Sequence, residues 1–89
     1  MRAIITVTGQ DTVGILAGVT GALADAGANV IEVSQTVGQG IFSMFMLAQT
    51  DHLNIEFSEL VRRLDELGQK MNLHIRCMNE DVFTAMHHI

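Results

Sequence analysis

The sequence predicts an α/β domain in which two helices cover one face of a four-stranded antiparallel sheet. Segments with apolar residues at alternate positions are interleaved with segments of helical periodicity, in the order strand, helix, strand, strand, helix, strand. A glycine-rich turn joins the second and third strands, which predicts a hairpin. The third strand is apolar on both faces, which is typical of a central strand.

The length and composition predict a single small domain that associates with a second copy. The chain has 89 residues, of which 48% are hydrophobic and 17% are charged. A domain of this size has too little interior to bury so many apolar side chains, so some of them are expected to face a second subunit. We therefore expect residues 1 to 89 to form one domain and to assemble as a homodimer.

The first strand and the loop after it carry the candidate ligand site. Alternation predicts a strand over residues 2 to 8, and Gly9 is expected to turn the chain. Asp11 or Thr12 is expected to cap the following helix, and Gly14 to allow close approach of a ligand. Free backbone N–H groups at a helix start suit an anionic or carbonyl-bearing ligand. The alternative is a well-formed connection that binds nothing.

The first helix is predicted from Thr12 or Val13 to Ala26, with Gly27 as its C-terminal stop. A second strand is predicted over residues 29 to 37. Strict alternation divides this strand into two faces, with Ile31, Val33 and Val37 on one side and Val30, Glu32, Ser34 and Thr36 on the other.

The middle of the chain is predicted to form a hairpin and then a second helix. Residues 38 to 40 are expected to form a three-residue turn, and residues 41 to 48 the doubly apolar strand. Apolar residues at helical spacing predict the second helix from Phe57 to Met71, with Asn72 as a stop. The apolar face of the third strand left without a helix is a further reason to expect a dimer.

The remaining residues are predicted to form the fourth strand and a short extension. Alternation predicts a strand over residues 73 to 78, and the resulting order favours the ferredoxin-like sandwich, with the first and third strands in the centre. Asn79 is expected to cap a C-terminal helix within residues 79 to 89. This helix is expected to cover the open sheet face of its own subunit or of its partner, and a frayed tail is the alternative.

Charge and hydropathy exclude several classes of partner. The net charge is −5 and only five residues are Lys or Arg, so we expect no nucleic-acid binding by phosphate neutralisation. No apolar run approaches the ~18–20 residues of a membrane span, and the N-terminus lacks the features of a signal peptide. We therefore expect no membrane partner and a cytoplasmic location. The single cysteine, Cys77, cannot form an internal disulfide.

The residue types that could bind a metal or catalyse a reaction are not arranged in a pattern that predicts a catalytic or metal site. His87 and His88 are adjacent, so on a helix they point about 100° apart and cannot easily share one ion. No cysteine or carboxylate stands at ligand spacing from the four histidines. We expect no metal, no cofactor and no catalysis. An acylphosphatase-like enzyme is a less favoured alternative, because that chemistry requires an arginine in the first loop and none lies between Ala3 and Arg62.

The first half of the chain contains two short motifs. The pattern D-x-x-G-[IL] is filled by Asp11, Gly14 and Ile15, and the pattern G-x-N-[IV] by Gly27, Asn29 and Val30. Together these motifs resemble those of the ACT domain family. Val13 stands where most members have proline. The rest of the chain is similar to small stand-alone ACT proteins of bacteria and archaea with an M-x-x-I tail, here Met86 to Ile89. Similar segments occur in the glycine cleavage regulator and at the N-terminus of formyltetrahydrofolate deformylases.

The resemblance implies a non-catalytic regulatory module that binds an amino acid or a similar metabolite. Its ligand would lie where the first loop of one subunit meets the neighbouring subunit. The implied ligand-binding residues are Gly9, Asp11, Thr12, Val13, Gly14, Ile15, Asn29 and Val30. The loop would supply backbone N–H groups to a ligand carboxylate. The side-chain amide of Asn29 would bind the polar end of the ligand. Asp11 would either accept a hydrogen bond from a ligand ammonium or cap the helix. The alternative is a protein-interaction module without a metabolite, which uses a face carrying Phe42, Met44 and Met46.

Overall fold

The computed structural model describes residues 1 to 10 and 13 to 87. These residues form four strands and three helices in the predicted order. The elements are β1 (Arg2–Gln10), α1 (Ile15–Asp25), β2 (Asn29–Gly38), β3 (Ile41–Gln49), α2 (Phe57–Met71), β4 (Leu73–Asn79) and α3 (Glu80–Met86).

The four strands form one antiparallel sheet in the order β2-β3-β1-β4. The central strands are therefore β1 and β3, and the edges are β2 and β4. This arrangement confirms the predicted ferredoxin-like sandwich. It follows from the sequence because β1 and β3 carry the longest runs of apolar residues and gain most from being covered on both faces.

The core lies between the two long helices and one face of the sheet. Its fully buried large side chains come from both layers: Ile5, Val7, Val19, Leu23, Met46, Leu60 and Leu64. Phe42 and Met44 also point into this core and are only 5% and 2% exposed. The prediction that Phe42, Met44 and Met46 form a face for another protein is therefore wrong, because the helices already cover that face of β3.

A tight connection joins α1 to β2. Gly27 has a φ of +83°, and its N–H donates to the carbonyl oxygen of Ala24 at 3.0 Å. The next N–H, of Ala28, donates to the carbonyl oxygen of Leu23 at 2.9 Å, which completes a Schellman motif. The predicted stop at Gly27 is confirmed. This motif sets the direction in which Asn29 starts β2.

Strand β2 departs from strict alternation near its start. The register with β3 shifts between Val30, which is opposite Ala48, and Glu32, which is opposite Leu47. Ile31 is the extra residue, so Val30 lies on the helix side with Val33. The prediction that Val30 shares a face with Glu32 is therefore wrong. A bulge of this kind places two residues against one on the partner strand.

The hairpin turn is shorter than predicted. Gly38 pairs with Ile41, which leaves Gln39 and Gly40 as the two turn residues, with φ of +55° and +78°. Positive φ at both positions is the type I′ geometry that matches the twist of a two-stranded hairpin. The prediction of a three-residue turn over residues 38 to 40 is therefore wrong by one residue.

The C-terminal helix α3 packs on the sheet face that α1 and α2 leave open, within its own chain. Asn79 caps it as predicted, since its side-chain oxygen accepts from the N–H of Asp81 at 2.7 Å. The rings of Phe83 and Phe45 meet edge to face at 6.1 Å, and Glu80 pairs with Arg2 at 2.7 Å. The apolar second face of β3, which led us to expect a dimer, is thus partly covered by α3. Ile89 of the predicted tail motif lies outside the described residues.

Candidate functional site

Strand β1 continues two residues beyond its predicted end, to Gln10. Gly9 therefore does not form the predicted turn. It is paired within the sheet, opposite Phe42 on one side and Leu73 on the other. A Cβ atom at Gly9 would lie 2.7 Å from Cδ2 of Leu73, so a larger residue here would have to displace that side chain.

The helix after the loop begins at Ile15, with Gly14 as its N-cap residue. Gly14 has φ of +87° and ψ of +9°, a left-handed conformation that glycine adopts without steric cost. The predicted helix start at Thr12 or Val13, capped by Asp11 or Thr12, is therefore wrong. The left-handed residue at position 14 breaks the helical geometry before it. Asp11 and Thr12 themselves lie outside the described residues.

The start of α1 is accessible. A Cβ atom at Gly14 would meet nothing within 4 Å among the described residues. Val13 is 98% exposed and Leu16 is 41% exposed, whereas Ile15 between them is buried and anchors the helix in the core. The first-turn N–H groups have no intrahelical acceptor, and the first turn of α1 contains no acidic residue. The positive end of the helix dipole is therefore not offset within its own first turn.

The second group of predicted site residues lies at the other end of the sheet. Asn29 starts β2 and pairs with Gln49, which also pairs with Arg2 at the start of β1. Gln10, at the end of β1, pairs instead with Ile41, which also pairs with Gly38 at the end of β2. The ten residues of β2 span about 30 Å. Within one chain, Asn29 and Val30 therefore do not meet the loop before α1.

The edge strand β2 is the most exposed element of the sheet, because only α1 contacts it from the helix layer. It nevertheless carries apolar side chains that are 40–58% exposed, namely Ile31, Val33 and Val37. Ile41, at the start of β3, is 59% exposed beside them. An edge strand with exposed apolar residues and unpaired backbone groups is suited to pairing with another strand.

The concavities formed by described residues lie away from this loop. One of them, about 530 Å³ in volume, is a shallow groove between α2 and β4, bordered by Asp65, His74, Arg76 and Cys77 among others. A smaller cleft of about 230 Å³ lies between α3 and the sheet and also includes Arg76. Sequence reasoning did not identify this cleft, although Thr6, Arg76 and Met78 fell on the side of their strands opposite the core residues.

The groups that could take part in catalysis or metal binding are the Cys77 thiol and the histidine side chains. Burial raises the pKa of the Cys77 thiol to about 11, so the thiol is protonated at neutral pH. His87 lies against Phe83 with ring centroids 4.2 Å apart, and its Nδ1 is 2.8 Å from the Phe83 carbonyl oxygen. Within residues 1 to 10 and 13 to 87, no three His, Cys, Asp or Glu side chains are grouped as metal ligands. His88 lies outside that part of the chain. Among the described helices, none combines the length and apolar character needed to cross a membrane.

Comparison with known proteins gives consistent matches over nearly the whole chain. The ACT domain model matches residues 2–78. The UPF0237 protein YjhC of Lactococcus lactis is 45% identical over 87 residues, which is 98% of each chain. The solved structure of an ACT domain protein from Streptococcus pneumoniae is 38% identical, covers 98% of both chains and has a TM-score of 0.82.

Two larger proteins share the fold over part of their length. A formyltetrahydrofolate deformylase from Pseudomonas syringae pv. tomato has a TM-score of 0.78 at 22% identity, over 88% of this chain and 27% of its own. A protein assigned as a glycine cleavage system transcriptional repressor has a TM-score of 0.71 at 25% identity, over 86% of this chain and 44% of its own. The resemblances noted in the sequence to these two kinds of protein are confirmed at the level of the fold.

Proposed function

This chain belongs to the ACT domain family of regulatory ligand-binding modules, and we propose that it binds an amino acid between the loop before α1 of one subunit and β2 of a second copy. The observation that carries this proposal is the accessible start of α1. Gly14 opens space there, and no acidic residue in the first turn competes for the N–H groups.

A carboxylate is the ligand group that suits this end of α1. Backbone N–H groups at a helix start donate to an anion, and the helix dipole adds the equivalent of about half a positive charge. The N–H groups of Gly14, Ile15 and Leu16 are the donors in our proposal. Gly9 near the end of β1 and Val13 lie on either side of the loop in sequence, and in our proposal Asp11 and Thr12 would complete the site, with Asp11 as the acceptor for a ligand ammonium.

The distance between the loop and Asn29 supports a site shared by two subunits. Antiparallel pairing of two β2 edges, centred near the middle of the strand, would bring Asn29 of the partner subunit opposite Gly38. Gly38 lies two strands from Gln10, about 10 Å away. The partner's Asn29 and the partner's Val30 would then lie at the same end of the joined sheet as the loop before α1. The Asn29 amide would bind the polar end of the ligand and Val30 its apolar part.

The exposed apolar side chains of β2 support the same assembly. Val33 and Val37 lie on the helix side of β2, and Leu16 lies at the exposed start of α1. Joining two β2 edges would continue the sheet across both subunits and remove these side chains from water. A ligand between the subunits would act through its different affinity for the two arrangements of that contact.

We also propose that the domain has no catalytic activity of its own. The Cys77 thiol is protonated because burial raises its pKa to about 11, which supports a structural role for this residue. The cytoplasmic location expected from the sequence stays a prediction. The alternative function is a protein-interaction module without a metabolite, and the experiment below separates it from the proposed one.

Ligand binding can be tested by thermal unfolding in the presence of each of the twenty amino acids. At a hundredfold excess over its Kd, a bound ligand adds about 2.7 kcal/mol of stability. We expect a stabilising amino acid whose effect disappears in Asn29→Ala and in Asp11→Ala. Gln69→Ala removes an exposed amide from α2 and should leave the effect intact. If no amino acid stabilises the protein, the metabolite proposal is wrong and the protein-interaction alternative is favoured.

The β2 assembly can be tested separately by sedimentation velocity. Val33→Lys would bring two like charges together near the centre of paired β2 strands, so this variant should sediment as a monomer while the unmodified protein is a dimer. Val82→Lys makes the same change at a 52% exposed position on α3 and should leave the dimer intact. A monomeric unmodified protein, or a Val33→Lys dimer, would contradict assembly through β2.

A further inference from the structure

The sheet face opposite α1 and α2 changes from apolar to polar along its strands. The register defines three rows across this face: Met78, Ile4, Leu47 and Glu32; then Arg76, Thr6, Phe45 and Ser34; then His74, Thr8, Ser43 and Thr36. The helix α3 covers the part of the first row that lies on β4 and β1, where Ile4 is only 4% exposed. The boundary between apolar and polar surface therefore runs along the edge of α3.

A cleft of about 230 Å³ lies on that boundary. Its apolar walls are Ile4 and Met78 from the sheet and Phe83 and Met86 from α3. It is more enclosed than the larger groove beside α2, because α3 covers it from above. The volume is below the roughly 300–1,000 Å³ of pockets for drug-sized ligands, so it suits a smaller molecule.

The polar end of the cleft is built around Arg76. Arg76 and Thr6 are directly opposite each other on β4 and β1, so their side chains leave the sheet about 5 Å apart on the same face. Arg76 is the one permanently charged side chain among the described residues of the cleft. A guanidinium binds a carboxylate through two parallel N–H donors, and the Thr6 hydroxyl can donate to the same group.

We propose that this cleft is a second ligand site, which binds a small monocarboxylate with a short apolar chain. The carboxylate binds Arg76 and Thr6, and the apolar chain lies between Met78 on the sheet and Phe83 and Met86 on α3. The site is chemically asymmetric in the same way as its ligand: Arg76 is its cation, and its other lining is mainly apolar, with the His87 ring stacked on Phe83 at the α3 side.

The weak attachment of α3 lets such a ligand enter. No residue of this seven-residue helix is fully buried, and Met86 is 63% exposed. Short helices in water depend on contacts with the rest of the protein, and those of α3 include the Phe83 ring on Phe45 and the Glu80 pair with Arg2. A ligand under α3 adds contacts to Phe83 and Met86, so it also holds the helix against the sheet.

The test is methyl NMR on protein carrying ¹³C-labelled methionine methyl groups, with hexanoate as the probe. Met78 and Met86 report on the cleft, while Met44 and Met46 report on the core on the other side of the sheet. We expect hexanoate to shift the Met78 and Met86 methyl signals saturably and to leave those of Met44 and Met46 in place. Hexanamide has the same chain without the charge and should bind at least about tenfold more weakly.

Substitutions separate this site from its alternatives. Arg76→Gln should weaken hexanoate binding by about tenfold or more, whereas Lys70→Gln removes a charge from α2 and should change it by less than about twofold. No movement of the Met78 and Met86 signals up to about 50 mM hexanoate, or equal binding of hexanoate and hexanamide, would overturn the proposal. Asn29→Ala should leave hexanoate binding unchanged, so failure of the β2 site and failure of this cleft are distinguishable.

Discussion

The carbonyl oxygen of His52 occupies the space that a Cβ atom on residue 27 would need. Gly27 also has a left-handed backbone, with φ of +83°. The loop that contains His52 is held at this point by Asn54, whose N–H donates to the carbonyl oxygen of Ala26 and whose side-chain amide donates to that of Asp25, both at 2.9 Å. Two independent constraints, conformation and contact, therefore require glycine at this position.

We expect Gly27→Ala to lower the free energy of unfolding by about 2 to 4 kcal/mol, since alanine is strained in this conformation and the backbone of His52 must move. Chemical denaturation measures the change. Gly21→Ala is the matched control on α1, where an added Cβ meets nothing within 4 Å. It should stabilise the protein by about 0.5 to 1 kcal/mol, because alanine is the better helix former. Equal effects of the two substitutions would contradict this explanation.

Phe83 is expected to hold α3 against the sheet. Phe83→Ala removes the edge-to-face contact with Phe45 and should destabilise the protein by about 1 to 2 kcal/mol. It should also increase hydrogen exchange in α3 before the rest of the chain unfolds. Val82→Ala, at a 52% exposed neighbour, should change stability by less than about 0.5 kcal/mol. Unchanged exchange in α3 after Phe83→Ala would show that other contacts hold the helix.

Glu59 is expected to titrate well below an ordinary glutamate. Hydrogen bonds from Arg62, with further contributions from Arg63, lower its pKa from 4.5 to about 2. A lowered pKa in the folded state means that the ionised carboxylate favours folding. This contribution is complete above pH 4.5 and is lost as the pH falls toward 2. The pair is exposed, so its effect on overall stability should be small.

The Glu59 carboxyl carbon can be followed by NMR as the pH is lowered. We expect its midpoint near pH 2, and a shift toward 4.5 in Arg62→Gln. Lys70→Gln removes a cation that does not bind Glu59 and should leave the midpoint in place. A midpoint near 4.5 in the unmodified protein would show that the ion pair is not formed in solution.

Cys77 is expected to be a poor nucleophile. Burial raises its pKa from 9.0 to about 11, which reduces the thiolate fraction at neutral pH by roughly 100-fold. Alkylation by iodoacetamide at pH 7.5 should therefore be much slower in the native protein than in urea. The native rate should continue to rise up to about pH 11. Rapid native labelling at pH 7.5 would contradict this environment for the thiol.

Local patterns were sufficient to predict much of the fold. Alternation and helical periodicity depend on residues close in sequence, and they predicted the element order, the stops at Gly27 and Asn72 and the cap at Asn79. The order of the elements predicted the central places of β1 and β3, and the two apolar faces of β3 supported its place. Errors arose where one residue changes the geometry without changing the pattern, as with the bulge at Ile31 and the left-handed N-cap at Gly14.

The candidate sites depend more heavily on tertiary structure. The sequence alone suggested the loop around Gly14 and Asn29 as binding residues, because both belong to short motifs. Only the strand register shows that Asn29 lies about 30 Å from the end of β1 in one chain, since the register depends on pairing between residues far apart in sequence. The cleft that joins Arg76 to Phe83 likewise exists only once α3 folds back over the sheet, so no local pattern contains it.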